Sequence, residues 1–133
     1  MERGEEMNVK LLRKVQKAIL AEPRRFNMGE WGMHVESGDI PDRDMPPCKT
    51  VACIAGHADL LTHPRLFQIA VKEGDGDAIQ IRAQQELRLT ARQAEILFVE
   101  WDDIAYDNLT TPLQRARWAV KRIDKFIRTN GAE

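Results

Sequence analysis

Three side chains capable of chemistry crowd into a short stretch of this 133-residue chain: Cys48, Cys53 and His57. On a helix, Cys53 and His57 stand four residues apart and share a face within reach of one ion, and Cys48, just before the helix, supplies a third donor by folding back. His34, His63 or a carboxylate would complete a tetrahedral zinc site. The spacing Cys-x4-Cys-x3-His departs from the common zinc patterns, and a cysteine in the context Ala-Cys-Ile-Ala reads equally as a small core residue. Zinc through Cys48, Cys53, His57 and His34 is therefore the secondary reading. The same cluster permits thiolate chemistry, because Cys48 beside Lys49 at a helix N-terminus would have its pKa lowered by dipole and charge, with His57 or His34 as base. No oxyanion donor or orienting third residue accompanies it, so an enzyme is disfavoured.

A second candidate precedes the cysteines. In Arg24-Arg-Phe-Asn-Met-Gly-Glu-Trp31, arginines interleave with aromatics, a pattern that holds phosphates and stacks bases, and Lys49 would join it if the intervening loop doubles back. The plainer reading has Phe26, Met28 and Trp31 as anchors pinning a long loop to the core. Arg24, Arg25, Trp31, His34 and Lys49 form the candidate ligand-binding set. Further on, Leu89-Thr-Ala-Arg-Gln-Ala-Glu-Ile-Leu97 resembles the opening of a LuxR-type helix-turn-helix, with Ile104, Ala105 and Leu109 echoing part of its second helix. The likeness stops there, because Asp102, Asp103 and Asp107 would set acid against phosphate and Pro112 interrupts the register. Glu73, Asp75 and Asp77 alternate with glycines as in calcium loops, yet the twelfth-position glutamate is missing and a turn suffices.

These residues need elements to position them. Asn8 predicts the N-cap of a helix carrying Leu12, Val15 and Ile19, ended by Pro23. From Arg24 to Pro47 periodicity vanishes among glycines and prolines, predicting one long loop over residues 24–47. Thr50 is expected to cap a buried central helix over Val51–Leu61, with Ala52, Ala55 and Gly56 admitting a close neighbour. A short helix over Leu66–Val71 follows, then one over residues 78–88 capped by Asp77. Thr90 with Gln93 forms a capping box for a helix presenting Ala94, Leu97, Phe98 and Trp101. Thr111 and Pro112 open the last helix, which Gly131 closes. The pattern predicts an all-α fold, an irregular bundle of about five helices, with a tail over residues 1–7, one domain over 8–129 and a short tail over 130–133.

Composition narrows the function classes. At 43% hydrophobic and 31% charged, the chain is neither disordered nor membrane-buried, and its longest apolar run, Val51 to Gly56, is far short of a membrane span. The opening Met-Glu-Arg-Gly-Glu-Glu lacks the apolar core of a signal peptide, and two cysteines are too few for a secreted disulfide scaffold, so a cytoplasmic location is expected. Net charge is −1, which disfavours nucleic acid as a partner of the molecule as a whole. Its distribution is uneven: residues 1–29 carry +3, residues 30–111 carry −8 and residues 112–133 carry +4. A mixed, solvated surface accounts for this, and binding of nucleic acid by the basic terminal helices is the rival reading.

Taken in order, Pro23-Arg-Arg-Phe26, Cys48-Lys-Thr-Val-Ala-Cys-Ile-Ala-Gly56, the Ala94–Phe98 helix and Arg122-Ile-Asp-Lys-Phe-Ile127 resemble a group of small bacterial and phage proteins sharing a Cys-x-Thr-x-x-Cys-Ile-Ala-Gly helix motif. The resemblance implies one domain and directs attention to Arg24–Gly56. It also weakens His57 as a ligand, because an aromatic commonly stands in its place in that group. The resulting expectation is a non-catalytic binding or regulatory module for a protein or small-molecule partner, with the metal- or thiolate-dependent enzyme as the alternative.

Overall fold

A computed structural model describes residues 6–34 and 50–133, with His34 contributing backbone alone. The architecture is an irregular all-α bundle: α1 (Val9–Ala21), a 3-10 turn (Pro23–Arg25), β1 (Met33–His34), β2 (Thr50–Val51), α2 (Ile54–Thr62), α3 (Pro64–Glu73), α4 (Gly76–Leu87), α5 (Ala91–Phe98), α6 (Asp103–Asp107) and α7 (Pro112–Arg128). Among the described residues no helix is long and apolar enough to cross a membrane.

Local chemistry sets most boundaries. The Asn8 side chain accepts from the Leu11 amide, and the capping boxes Thr90/Gln93 and Thr111/Gln114 are both formed. Arg122 closes α5 from outside, because its guanidinium donates to the carbonyls of Leu97 at 3.3 Å, Glu100 at 2.7 Å and Ile96. A cation there satisfies orphan carbonyls and opposes the negative end of the helix dipole.

Four expectations are corrected. The central helix begins at Ile54 with Cys53 as N-cap, not at Val51. Thr50 and Val51 are instead extended, paired antiparallel with His34 and Met33, and Ala52 bridges Phe26 in parallel. The apolar run reads as strand or helix alike, and long-range pairing decides. Secondly, α4 is capped by Asp75, whose carboxylate accepts from Ala78, rather than by Asp77. Thirdly, α5 stops at Phe98, so Trp101 stands outside it, and Asp102 starts the five-residue α6. Fourthly, the described part of the expected loop, residues 24–34, is not all loop: Arg24 and Arg25 fall in the 3-10 turn, and Met33 and His34 form β1, paired with Val51 and Thr50.

Two apolar clusters make the core. The larger gathers Leu12, Val15 and Ile19 of α1, Ile54 and Ala58 of α2, Leu97 of α5, and Ile123 and Phe126 of α7. The smaller joins Ala52, Phe67, Ala70 and Ile79 beside α3 and α4. Trp31 packs against both.

Candidate functional site

The segment Arg25–Trp31 is laced to the approach of α2 by its backbone: Ala52 N–H donates to Arg25 at 2.7 Å, Asn27 N–H to Ala52 at 3.0 Å and Cys53 N–H to Glu30 at 2.7 Å. Such pairing leaves few buried amides unsatisfied and fixes the side chains it carries. Phe26 and Met28 are buried, and the Met28 amide donates to the Tyr106 hydroxyl at 3.1 Å. Trp31 meets Phe98 edge to face at 6.0 Å between ring centres. It also leans on α4, because a Cβ at Gly76 would lie 2.6 Å from its Cδ1.

Beneath this segment lie the described members of the candidate metal set, Cys53 and His57. Cys53 and His57 are both buried, but Cys53 sits at the helix cap, and its carbonyl rather than its thiol meets His57, at 2.9 Å from Nδ1. Neutral His57 donates that bond as the Nδ1–H tautomer. Burial, reinforced by the charge of Arg25, depresses its pKa to about 4. The Cys53 thiol is pushed up to about 11, chiefly by burial. Neither value suits a thiolate nucleophile with an adjacent base. Among the described residues no three His, Cys, Asp or Glu side chains converge as a metal-binding group. His63 stands apart on the far end of α2, between Asp59 at 3.9 Å and Glu86 at 3.7 Å. Cys48, Lys49 and the side chain of His34 lie outside the described residues.

Of the ligand-binding set, Arg24 and Arg25 sit in the 3-10 turn, and the Arg24 guanidinium pairs with Glu22 at 3.1 Å. Arg25 lies near enough to influence His57. Trp31, a described member of that set, lines a cavity. This pocket, of about 200 Å³, lies between the Arg25–Trp31 segment and the end of α5, with Met28, Gly29, Trp31, Cys53, Phe98, Val99 and Trp101 around it. Its lining side chains are apolar and aromatic, with polar atoms exposed among them. Val99, 53% exposed, opens it to solvent, and Trp101 packs edge to face on Tyr106 and Trp118 at 5.3 and 5.9 Å.

Sequence reasoning named Trp31 as a ligand-binding candidate and Cys53 as a metal candidate, and did not point to the wall supplied by Phe98, Val99 and Trp101. The available signal was the break after Phe98, where the apolar stripe of α5 continues into Val99 and Trp101 although the helix ends. No family model, curated protein or solved structure matches this chain.

Proposed function

We propose that the protein is a non-catalytic binding module that receives one apolar side chain of a protein partner in the Trp31–Trp101 pocket. The pocket itself carries this reading: its side chains are apolar and aromatic, it opens at Val99 and, at about 200 Å³, it is smaller than the roughly 300–1,000 Å³ usual for a drug-sized ligand. A single large side chain matches that size. The flank of the pocket defines what surrounds such an anchor. From Val99 to Asp107 the chain has four acids and no base, and Asp103 and Asp107 are exposed without an ion pair among the described residues. Ile104, 73% exposed, adds apolar surface between them. A partner segment with one large apolar residue flanked by Lys or Arg complements this face.

Selection from a displayed random-peptide library tests the reading, with Val99→Glu as counter-target. Val99 is exposed, so the substitution spares the core. Enriched peptides should share an apolar residue with basic neighbours and lose binding to the variant at least tenfold. Absence of enrichment, or equal binding to both proteins, would overturn the proposal.

A further inference from the structure

α1 and α7 lie side by side, tied by the Gln16 amide, which donates to the Val120 carbonyl at 3.0 Å and the Asp124 carboxylate at 3.1 Å. Each helix spends its apolar face on the core, α1 through Leu12, Val15 and Ile19, α7 through Ala116, Ala119, Ile123 and Phe126. What remains outward is mainly basic, with Val9, Leu20 and Leu113 as exposed apolar residues near the helix ends. Lys10, Arg13, Lys14 and Lys17 recur at helical spacing on α1, and Arg117, Lys121, Lys125 and Arg128 do so on α7, all exposed. Against these eight cations the two helices hold one acid, Asp124, and Arg13 pairs with it. Glu133 takes Lys125 at 2.9 Å. The other six, Lys10, Lys14, Lys17, Arg117, Lys121 and Arg128, form no ion pair among the described residues.

We infer that this α1–α7 face binds the phosphate backbone of duplex DNA. Cations on this face outnumber the acids beside them, Asp124 and Glu133 and, around the hollow at Lys121 and Lys125, Glu100 and Asp102, and a polyanion relieves the remaining repulsion while releasing its own counterions. A membrane surface fits less well, because interfacial helices insert an apolar face and these two have buried theirs. Single strands are held by stacking on exposed aromatics, and the aromatics of these helices, Trp118 and Phe126, are half-buried and buried. The row Arg117–Arg128 runs about 16 Å along a helix some 10–12 Å across, a ridge that the major groove of B-form DNA, about 12 Å wide, accommodates.

Fluorescence anisotropy with a labelled 24-base-pair duplex tests this on the full chain. With about four phosphate contacts, affinity should fall about 100-fold between 50 and 200 mM salt. The quadruple variant Lys14→Glu/Lys17→Glu/Arg117→Glu/Lys121→Glu should bind at least 30-fold more weakly at 50 mM salt. A control reversal on α3, Arg65→Glu/Lys72→Glu, should leave affinity within threefold, and circular dichroism should show all proteins equally helical. Four results would each overturn the inference: no binding at 50 mM salt, equal losses in variant and control, tighter binding of the single strand, or tighter binding of phosphatidylserine vesicles.

Discussion

The carbonyl oxygen of Trp31 occupies the place where a side chain at Gly56 would begin. A Cβ built on Gly56 falls on that oxygen and comes within 2.6 Å of the Ala52 Cβ as well. The segment that carries the pocket therefore seats directly on the first turn of α2, and only glycine permits the seating. Gly56→Ala should destabilise the protein by about 3 kcal/mol, at the upper end of ordinary overpacking, because the opposing atom is backbone held by the Cys53–Glu30 bond and cannot rotate away. Gly56→Leu should not fold. Adding Ala52→Gly relieves one contact and leaves the carbonyl clash, so it should restore little. Urea denaturation checks the series, and a Gly56→Ala protein as stable as the parent would show that Trp31 is not seated there.

Asp59 is fully buried and receives a two-pronged bond from Arg82, at 2.8 Å to Oδ1 and 2.9 Å to Oδ2, joining α2 to α4. Removing one partner strands the other. Arg82→Ala should cost about 3–5 kcal/mol, since a carboxylate is left in the core without its counter-charge. The double change Asp59→Leu/Arg82→Met should recover most of that loss, because two apolar side chains of similar size need no solvation. Urea midpoints of the single and double variants measure the difference; equal losses would show that the carboxylate's burial is not what the arginine compensates.

The elements read correctly from sequence are those set within one turn of chain. Asn8, Thr90 and Thr111 each bond an amide three residues on, and the letters alone place them. The approach to α2 was misread because Val51 and Ala52 have partners at Met33 and Phe26, and no local signal reports a pairing with residues so distant in the sequence. The pocket was half legible for the same reason. Trp31 and Cys53 drew attention by their types, as candidates for a ligand and for a metal, whereas the Met28–Tyr106 bond beside the pocket spans 78 residues of sequence. A glycine among alanines did announce a close approach at Gly56, although the visitor is the Trp31 backbone and not a neighbouring helix.

His57 links the core to pH. Folding holds its pKa at about 4, below the ordinary 6.5, so the unfolded chain binds a proton that the folded chain refuses between those values. The stability due to neutral His57 is complete above pH 6.5 and drains away as pH falls toward 4, by about 3 kcal/mol for a shift of this size. His57→Phe keeps a ring beside Phe26, 6.1 Å away between centres in the native protein, and removes the titration. Carboxylates also weaken the fold in acid, so the readout is the difference between the two proteins. The gap in unfolding free energy should shift in favour of His57→Phe by about 3 kcal/mol from pH 7 to pH 4. A constant gap would mean that His57 titrates normally.

Cys53 answers the question of thiol chemistry. Its pKa of about 11, set by burial, leaves roughly a hundredfold less thiolate at pH 8 than an ordinary cysteine with a pKa near 9. Burial beneath Met28 and Phe98 then restricts access to what little forms. Alkylation by iodoacetamide at pH 8, followed peptide by peptide in a mass spectrometer, separates Cys53 from Cys48. Modification of Cys53 in the folded protein should be at least 100-fold slower than in 8 M urea, and occupancy of the pocket by a selected peptide should slow it further, because the thiol lies against the pocket wall. A Cys53 that reacts in the native state as fast as in urea would revive the thiolate reading and remove the packing role assigned to it.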